Sequence, residues 1–233
     1  MKTAYIVKAY RTAVGKAPRG VFRFKRPDEL AAETIKYMMD KLPDFDKTRI
    51  DDVMVGNAMP EAEQGLNVGR LISLMGLKIE DVPGMTVNRY CASGLETISI
   101  ATAKIQMGMA DCVIAGGAES MSYIPMGGYK PVPNYEVAKN GNEDYYWGMG
   151  LTAEAVANKY NVSREDQDQF AYDSHQKAIK AQQEDRFQDQ IVPITIDETY
   201  VEDGKKKTRS YTVNKDEGPR KDTSVEVLNK LRP

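Results

Sequence analysis

The sequence is poor in the residues that build metal and redox sites. It contains one histidine, His175, and two cysteines, Cys91 and Cys112, among 233 residues. One histidine excludes sites built from several histidines, and it leaves any cysteine–histidine pair a single candidate base within these residues. The cysteines are too far apart for a CxxC redox or zinc motif and too few for a disulfide framework. We therefore expect no metal site and two free thiols.

Long apolar runs and an excess of charge of either sign are also missing. No stretch approaches the roughly 18 apolar residues of a membrane span, and the N-terminal MKTAYIVKAYRTAV lacks the apolar region and cleavage site of a signal peptide. The 32 Lys and Arg against 34 Asp and Glu give a net charge of −2. Such a balance argues against nucleic acid or an acidic membrane surface as the main partner. We expect a folded, cytoplasmic protein with no membrane partner.

The order of apolar segments predicts an α/β fold for the first half of the chain. Short apolar strands alternate with amphipathic helices, which implies βαβ crossovers and a parallel or mixed sheet. The remainder is more polar and helical, and prolines and glycines between Ser120 and Tyr135 mark the change. The predicted strands are Thr3–Ala9, Asp52–Gly56, Gly84–Asn88, Asp111–Ala118, Val192–Ile196 and Ser210–Val213. The predicted helices are Pro27–Leu42, Asn67–Met75, Leu95–Met107, Leu151–Tyr160, one from Ser163 to about Asp185, and Val225–Leu231. Ser163, with Asp166 three residues on, is the predicted N-cap of the fifth.

The segment Val87–Leu95 (VNRYCASGL) carries the clearest chemical signal. Cys91 lies at the turn between a predicted strand and a predicted helix, where free backbone N–H groups and the helix dipole favour a thiolate over a thiol. A thiolate is a nucleophile, and a neighbouring N–H can hold a developing oxyanion. The alternative is a small structural cysteine packed in a core, and the pattern alone leaves both interpretations open.

Asn88–Glu96 (NRYCASGLE) resembles the active-site segment of the thiolases, the acetyl-CoA and 3-ketoacyl-CoA acyltransferases. Further segments are similar to the family's motifs in the same order, and together they cover essentially the whole chain. These segments are Arg11–Gly15 (RTAVG), Gln64–Arg70 (QGLNVGR), Ala115–Ser122 (AGGAESMS), Met149–Glu154 (MGLTAE), Ser163–Asp168 (SREDQD) and Lys230–Pro233 (KLRP). In the first of them, Ala13 replaces the proline of the family's motif.

The resemblance implies a thiolase-like α/β fold, a mixed five-stranded sheet layered between helices. Residues 1–121 would form the N-terminal α/β domain without its last helix and strand. Residues 122–233 would form an inserted helical, loop-rich domain that covers coenzyme A. The family's C-terminal half would lie outside these 233 residues. That half contains the general-base histidine, a second catalytic cysteine and an oxyanion-hole asparagine. We therefore expect a fragment of a normal-length enzyme.

The resemblance also implies an acyl-CoA C-acyltransferase reaction with a ping-pong cycle. Cys91 would be acylated by acyl-CoA or 3-ketoacyl-CoA, and its N–H would form part of an oxyanion hole. Met149 falls at a position that contacts the pantetheine, and Arg220 at one close to the nucleotide end, while Val227 replaces a serine found in some thiolases. Coenzyme A thioesters are the substrates, no other cofactor is implied, and the partner is a second copy in a dimer or tetramer. The segment Gly127–Asn134 (GGYKPVPN) favours the 3-ketoacyl, β-oxidation branch.

Two other functions remain open. One is a catalytically incomplete fragment that binds coenzyme A or assembles with a partner, since the base would lie elsewhere. The other is a ketoacyl or hydroxymethylglutaryl-CoA synthase relative, which would share the acylated cysteine but not the segments at Ala115–Ser122 and Met149–Glu154. We interpret Cys112 as structural and His175 as a surface or packing residue.

Overall fold

The computed structural model describes residues 2–232 and divides into two compact units. The first comprises the chain up to Tyr129 together with Gln188–Gly218, and the second Lys130–Phe187 together with the residues from Pro219 onward. The segment from Gln188 to Gly218 therefore packs with the first unit, although it follows the boundary at residues 121 and 122 that the family resemblance implies.

The first unit contains all seven strands of the described residues and the three helices that surround them. The second unit contains four helices. The strands are β1 (Arg11–Thr12), β2 (Asp52–Gly56), β3 (Gly84–Val87), β4 (Val113–Gly117), β5 (Ile191–Val192), β6 (Ile194–Glu202) and β7 (Lys205–Val213). The helices are α1 (Pro27–Asp40), α2 (Val68–Leu77), α3 (Ser93–Gln106), α4 (Tyr135–Ala138), α5 (Met149–Tyr160), α6 (Arg164–Gln183) and α7 (Val225–Leu228).

The main sheet is parallel, with the order β3-β2-β4. In register, Val55 lies beside Thr86 on one side and Gly116 on the other. Because all three strands run the same way, their carboxyl ends meet at one edge of the sheet, and the connections cross over through helices. The predicted α/β class is confirmed.

Helices cover both faces of the central strand β2. Val53 and Val55 belong to a buried cluster with side chains of α1 and α2, including Ile35 and Ile72. Side chains alternate along a strand, so Met54 points to the opposite face, where α3 packs on the sheet. This burial on both faces explains why the sequence of β2 is a nearly continuous apolar run.

Most predicted helices form close to their predicted bounds. Helix α1 begins at Pro27, where the missing proline N–H costs nothing, and Asp28 and Glu29 follow in its first turn. Helix α6 begins after Ser163, whose Oγ accepts the N–H of Asp166 at 3.1 Å. The predicted cap of this helix is therefore confirmed.

The predicted buried strand Thr3–Ala9 is wrong for the described residues. These residues form no strand, and the side chains of Tyr5, Ile6 and Val7 are 79%, 82% and 77% exposed. An apolar run favours a strand only where a neighbouring strand offers its N–H and C=O groups. The order β3-β2-β4 pairs β4 on one side only, and residues 3–9 do not join it. The main sheet of the described residues therefore has three strands. The family resemblance implies five, of which four were predicted to lie in this chain.

A hairpin completes the first unit. Strands β6 and β7 pair in antiparallel register from Ile194 opposite Val213 to Glu202 opposite Lys205, and so extend well beyond the two short strands predicted. Glu198 points from β6 into the protein and forms ion pairs with Arg23 and Arg209. A buried carboxylate needs such partners, and here they join the hairpin to the segment before α1.

The second unit has little interior of its own. Among its described residues only Asp168, Ile179 and Thr223 are buried. Polar contacts connect its two segments, since Arg164 pairs with Asp168 and also donates to the Leu228 carbonyl at 2.8 Å. In residues 2–232, no helix is both long enough and apolar enough to cross a membrane.

Asp216 connects the segment after β7 to the beginning of the chain. Its carboxylate forms a two-pronged ion pair with Arg11, at 2.6 and 3.0 Å, and accepts the N–H of Val14 at 2.8 Å. The Arg11 guanidinium is the main cause that lowers the pKa of Asp216 below its usual value, and the Val14 N–H adds to the effect. The negative form is therefore the one that stabilises the fold.

Asp216→Asn should lower the free energy of unfolding at pH 7 by about 1–3 kcal/mol, the usual contribution of hydrogen bonds to a charged group. A lowered pKa contributes stability above the unfolded-state value, and that stability is lost as the pH falls through the folded-state value. The difference between wild type and variant should therefore shrink below about pH 4. Urea unfolding followed by circular dichroism at several pH values measures it. Asp44→Asn, at an exposed position, is the control, and a difference independent of pH would contradict the assignment.

Candidate active site

Cys91 lies between the end of β3 and the start of α3, as predicted. Val87 ends the strand, Ser93 begins the helix, and the thiol is exposed. Within the described residues the N–H of Cys91 has no hydrogen-bond partner. The turn therefore presents a thiol and a free donor side by side, next to the positive end of a helix.

Hydrogen bonds within the turn fix its backbone. The Oγ of Ser93 accepts the N–H of Arg89 at 2.8 Å and donates to the carbonyl of Tyr90 at 2.5 Å. Tyr90 has a φ of +48°, a left-handed conformation that is rare for a bulky residue. This reversal directs the chain from the strand into the helix immediately before Cys91, and the buried Ser93 holds it there.

Close packing brings the turn against the ends of the other two strands. A Cβ at Gly56, the last residue of β2, would lie 2.4 Å from the backbone of Ser93. One at Gly117, the last residue of β4, would lie 3.4 Å from Gly94. The first turn of α3 can approach the sheet because these residues lack side chains. At Gly116, by contrast, an added Cβ would meet nothing within 4 Å.

A polar cluster lies beside the turn, at the carboxyl ends of β2 and β4. Asn57 follows β2 and donates from Nδ2 to the carbonyl of Ala118 at 2.8 Å. Glu119 follows β4 and accepts the N–H of Ala58 and the Nε2 of Gln64, both at 2.6 Å. Sequence reasoning gave these side chains no role. The available signal was that two of them directly follow parallel strands, at the edge where α/β proteins place their sites.

Cys112 occupies a different environment. It precedes β4, is partly buried, and packs against the apolar cluster under α1 and α2. Burial raises the pKa of its thiol above the usual value, and the nearby negative charge of Asp51 raises it further. A thiol that resists ionisation is a poor nucleophile, which supports the structural interpretation.

The remaining predicted site residues lie in the second unit. Met149 begins α5 with its side chain 58% exposed. Arg220 lies between Gly218 and α7, and its backbone N–H donates to Nδ1 of His175 at 3.1 Å. The ring nitrogen of His175 is thus engaged in holding its own unit together, as expected of a packing residue. Residues 2–232 contain no group of three or more His, Cys, Asp or Glu side chains arranged to hold a metal ion.

The fold and the turn together define an α/β protein with an exposed cysteine at a strand–helix junction. Comparison with known proteins gives the family. Residues 4–233 match the model of the thiolase N-terminal domain, and the chain belongs to the thiolase family.

Several relatives extend this result. The chain is 47% identical to a 3-ketoacyl-CoA thiolase of Bacillus subtilis (strain 168) over 234 residues, which cover the whole chain and 59% of that relative. It is 38% identical to a probable acetyl-CoA acyltransferase of Staphylococcus aureus (strain COL), covering 60% of it. The crystal structure of the Bacillus anthracis acetyl-CoA acetyltransferase superposes with a TM-score of 0.79 at 30% identity, over 97% of this chain and 57% of that one. The chain therefore spans about three fifths of the length of these relatives.

The two environments predict a large difference in thiol reactivity. At pH 8, iodoacetamide should alkylate Cys91 at least about tenfold faster than Cys112, because one thiol is exposed beside a free N–H and the other is partly buried. Peptide mass spectrometry over a time course measures both rates in one sample. Cys91→Ser should leave the slow labelling of Cys112 unchanged, and faster labelling of Cys112 would contradict the assignment.

Proposed function

We propose that the chain carries the nucleophile of a thiolase, an acyl-CoA C-acyltransferase, and that Cys91 is the residue acylated. The observation that carries the proposal is the exposed thiol beside a free backbone N–H at the start of α3. Membership of the thiolase family supports it.

The first step is acyl transfer to sulfur. The Cys91 thiolate attacks the carbonyl carbon of an acyl-CoA thioester, and the Cys91 N–H is one donor to the oxyanion that forms. Collapse of the tetrahedral intermediate breaks the bond to the sulfur of coenzyme A, which leaves as a thiolate. The product is a thioester between the acyl group and Cys91.

The second step uses another coenzyme A substrate. In synthesis, the α-carbon of a second acyl-CoA loses a proton to a base and attacks the acyl group, which releases the Cys91 thiolate. In thiolysis the order reverses. The Cys91 thiolate attacks the keto carbon of 3-ketoacyl-CoA, the bond to the α-carbon breaks, and that carbon takes up a proton as acetyl-CoA leaves. The thiol of coenzyme A, after losing its proton to the base, then takes the acyl group from Cys91. We propose that the base lies in the part of the family's length that this chain does not span. The engagement of His175 Nδ1 by Arg220 supports this choice over His175.

The second unit is proposed to contact coenzyme A through Met149 and Arg220. Met149 offers an exposed apolar surface suited to the pantetheine arm, and Arg220 an exposed guanidinium suited to phosphate or adenine. A cytoplasmic location, a homo-oligomeric assembly and preference for 3-ketoacyl-CoA belong to the same proposal. The names of relatives, a 3-ketoacyl-CoA thiolase among them, support the substrate class.

Incubation with acetyl-CoA should acetylate Cys91, because acyl transfer to sulfur needs only the thiolate and the oxyanion donor. Digestion and mass spectrometry locate the adduct. Cys91→Ala should abolish it, and Cys112→Ala is the matched control that should retain it. A folded chain without an adduct would favour the alternative, a fragment that binds coenzyme A or assembles with a partner.

Acetoacetyl-CoA thiolysis tests where the base lies. The chain alone should turn over at least about a hundredfold more slowly than it acetylates Cys91, since a missing general base costs about 10²–10⁴ in rate. Loss of the ketoacyl absorbance after addition of coenzyme A measures turnover. Rapid turnover by the 233 residues would place the base within this chain, and Cys91→Ala provides the background rate.

A further inference from the structure

We propose that Glu119 is a positioning residue for Cys91, acting through Ala58, Asn88 and Tyr90. The proposal rests on the function proposed for Cys91. Glu119 itself makes no hydrogen bond to the cysteine turn. Its effect would pass through a continuous series of hydrogen bonds that begins at its carboxylate and ends at the residue before the nucleophile.

Three donors converge on the Glu119 carboxylate. Oε1 accepts from Nε2 of Gln64 at 2.6 Å and from Nδ2 of Asn57 at 3.3 Å, and Oε2 accepts the N–H of Ala58 at 2.6 Å. Asn57 and Gln64 are each only 1% exposed. Glu119 therefore holds the loop after β2 against the end of β4 with bonds to a charged acceptor, which are stronger than neutral ones.

Ala58 carries this constraint to the cysteine turn. Its N–H is held by Glu119, while its carbonyl, which belongs to the next peptide group, accepts from Nδ2 of Asn88 at 3.1 Å. The Oδ1 of Asn88 then accepts the N–H of Tyr90 at 2.9 Å. The Asn88 side chain thus connects the loop after β2 directly to the left-handed residue that precedes Cys91.

Only an acceptor with two equivalent oxygens fits this position. Each Glu119 oxygen accepts at least one N–H. If an amide replaced the carboxylate, its NH₂ group would face one of these N–H donors, and two donors cannot form a hydrogen bond. The Oδ1 of Asn57 is buried and has no partner among the described residues. Turning this amide so that its oxygen faced Glu119 would break the bond from its Nδ2 to the Ala118 carbonyl, so it does not compensate.

Glu119→Gln tests the proposal through the reactivity of the thiol. The rate of Cys91 alkylation by iodoacetamide should fall about tenfold, because a displaced turn would move the thiol away from the free N–H beside it. The rate at Cys112 is an internal reference that should not change. With acetyl-CoA, the maximal acetylation rate should fall while the half-saturating concentration stays the same, because Glu119 is assigned no contact with the substrate. A merely structural defect would alter both cysteines and both kinetic parameters.

Glu61→Gln is the matched control. Glu61 is also a loop carboxylate that accepts a backbone N–H, that of Tyr129 at 2.7 Å, but it has no bond to Ala58 or Asn88. Its substitution should leave the alkylation rate of Cys91 within about twofold of wild type. An equal fall in both glutamate variants would overturn the specific role of Glu119.

A double-mutant cycle tests the route. Asn88→Ala removes an exposed side chain and cuts the series between Ala58 and Tyr90, so it should itself slow Cys91 alkylation. In that background, Glu119→Gln should add less than about a twofold further fall, whereas independent effects would multiply. Multiplicative effects, or an unchanged rate in Asn88→Ala, would overturn the route. If Glu119→Gln does not fold, the Asn88→Ala result decides alone.

The outcomes for the two proposals are separable. Failure of acetyl-CoA to modify wild-type Cys91 would count against the proposed function, while the alkylation rates would still report the position of the thiol. Normal acetylation of wild type together with unchanged rates in Glu119→Gln would overturn the positioning role and leave the proposed function standing.

Discussion

The candidate site depends on one close packing contact, that of Gly56 with the first turn of α3. The last residue of the central strand touches the backbone at Ser93, and no side chain fits between them. Interiors are packed so tightly that a single added methyl group must displace something. The contact with the sheet therefore fixes where helix α3 begins. Cys91 lies two residues before the helix, so its position is fixed as well. The apolar layer of α1 and α2 holds the opposite face of β2 and keeps the strand from yielding.

Two kinds of interaction stabilise the structure around this contact. Below the carboxyl edge of the sheet, apolar packing without direction fixes the distance between helices and strands. At the edge itself the chain is irregular, and it is held by directional hydrogen bonds that Gln64 and Asn88 donate and Glu119 accepts. The change occurs where backbone groups leave the sheet ladder and need other partners. A reactive group at this boundary is supported by the rigid apolar packing below it and surrounded by the polar groups of the loops. Neither region provides both.

Local patterns predicted what depends on local forces. The strand–cysteine–helix junction follows from the apolar run before Cys91 and the small residues after it, and the cap at Ser163 from side-chain spacing alone. Contacts between distant residues were not predictable, since Arg11 and Asp216 lie 205 positions apart and nothing near either residue indicates the other. The same limit explains the error at Thr3–Ala9, because an apolar segment forms a strand only if another strand is available to pair with it, and the segment itself does not show this. The family resemblance led to the prediction for Cys91 but gave Asn57 and Glu119 no role.

The exposed segment at the beginning of the chain has a practical consequence for work with this protein. Tyr5, Ile6 and Val7 lie uncovered in a stretch outside any helix or strand, and β4 has a strand neighbour on one side only. Extended apolar chain and open strand edges are the features through which separate molecules add to one another's sheets. Self-association through this segment should therefore rise with protein concentration. Reactivity of wild type and variants is best compared at one low protein concentration, where such contacts are fewest.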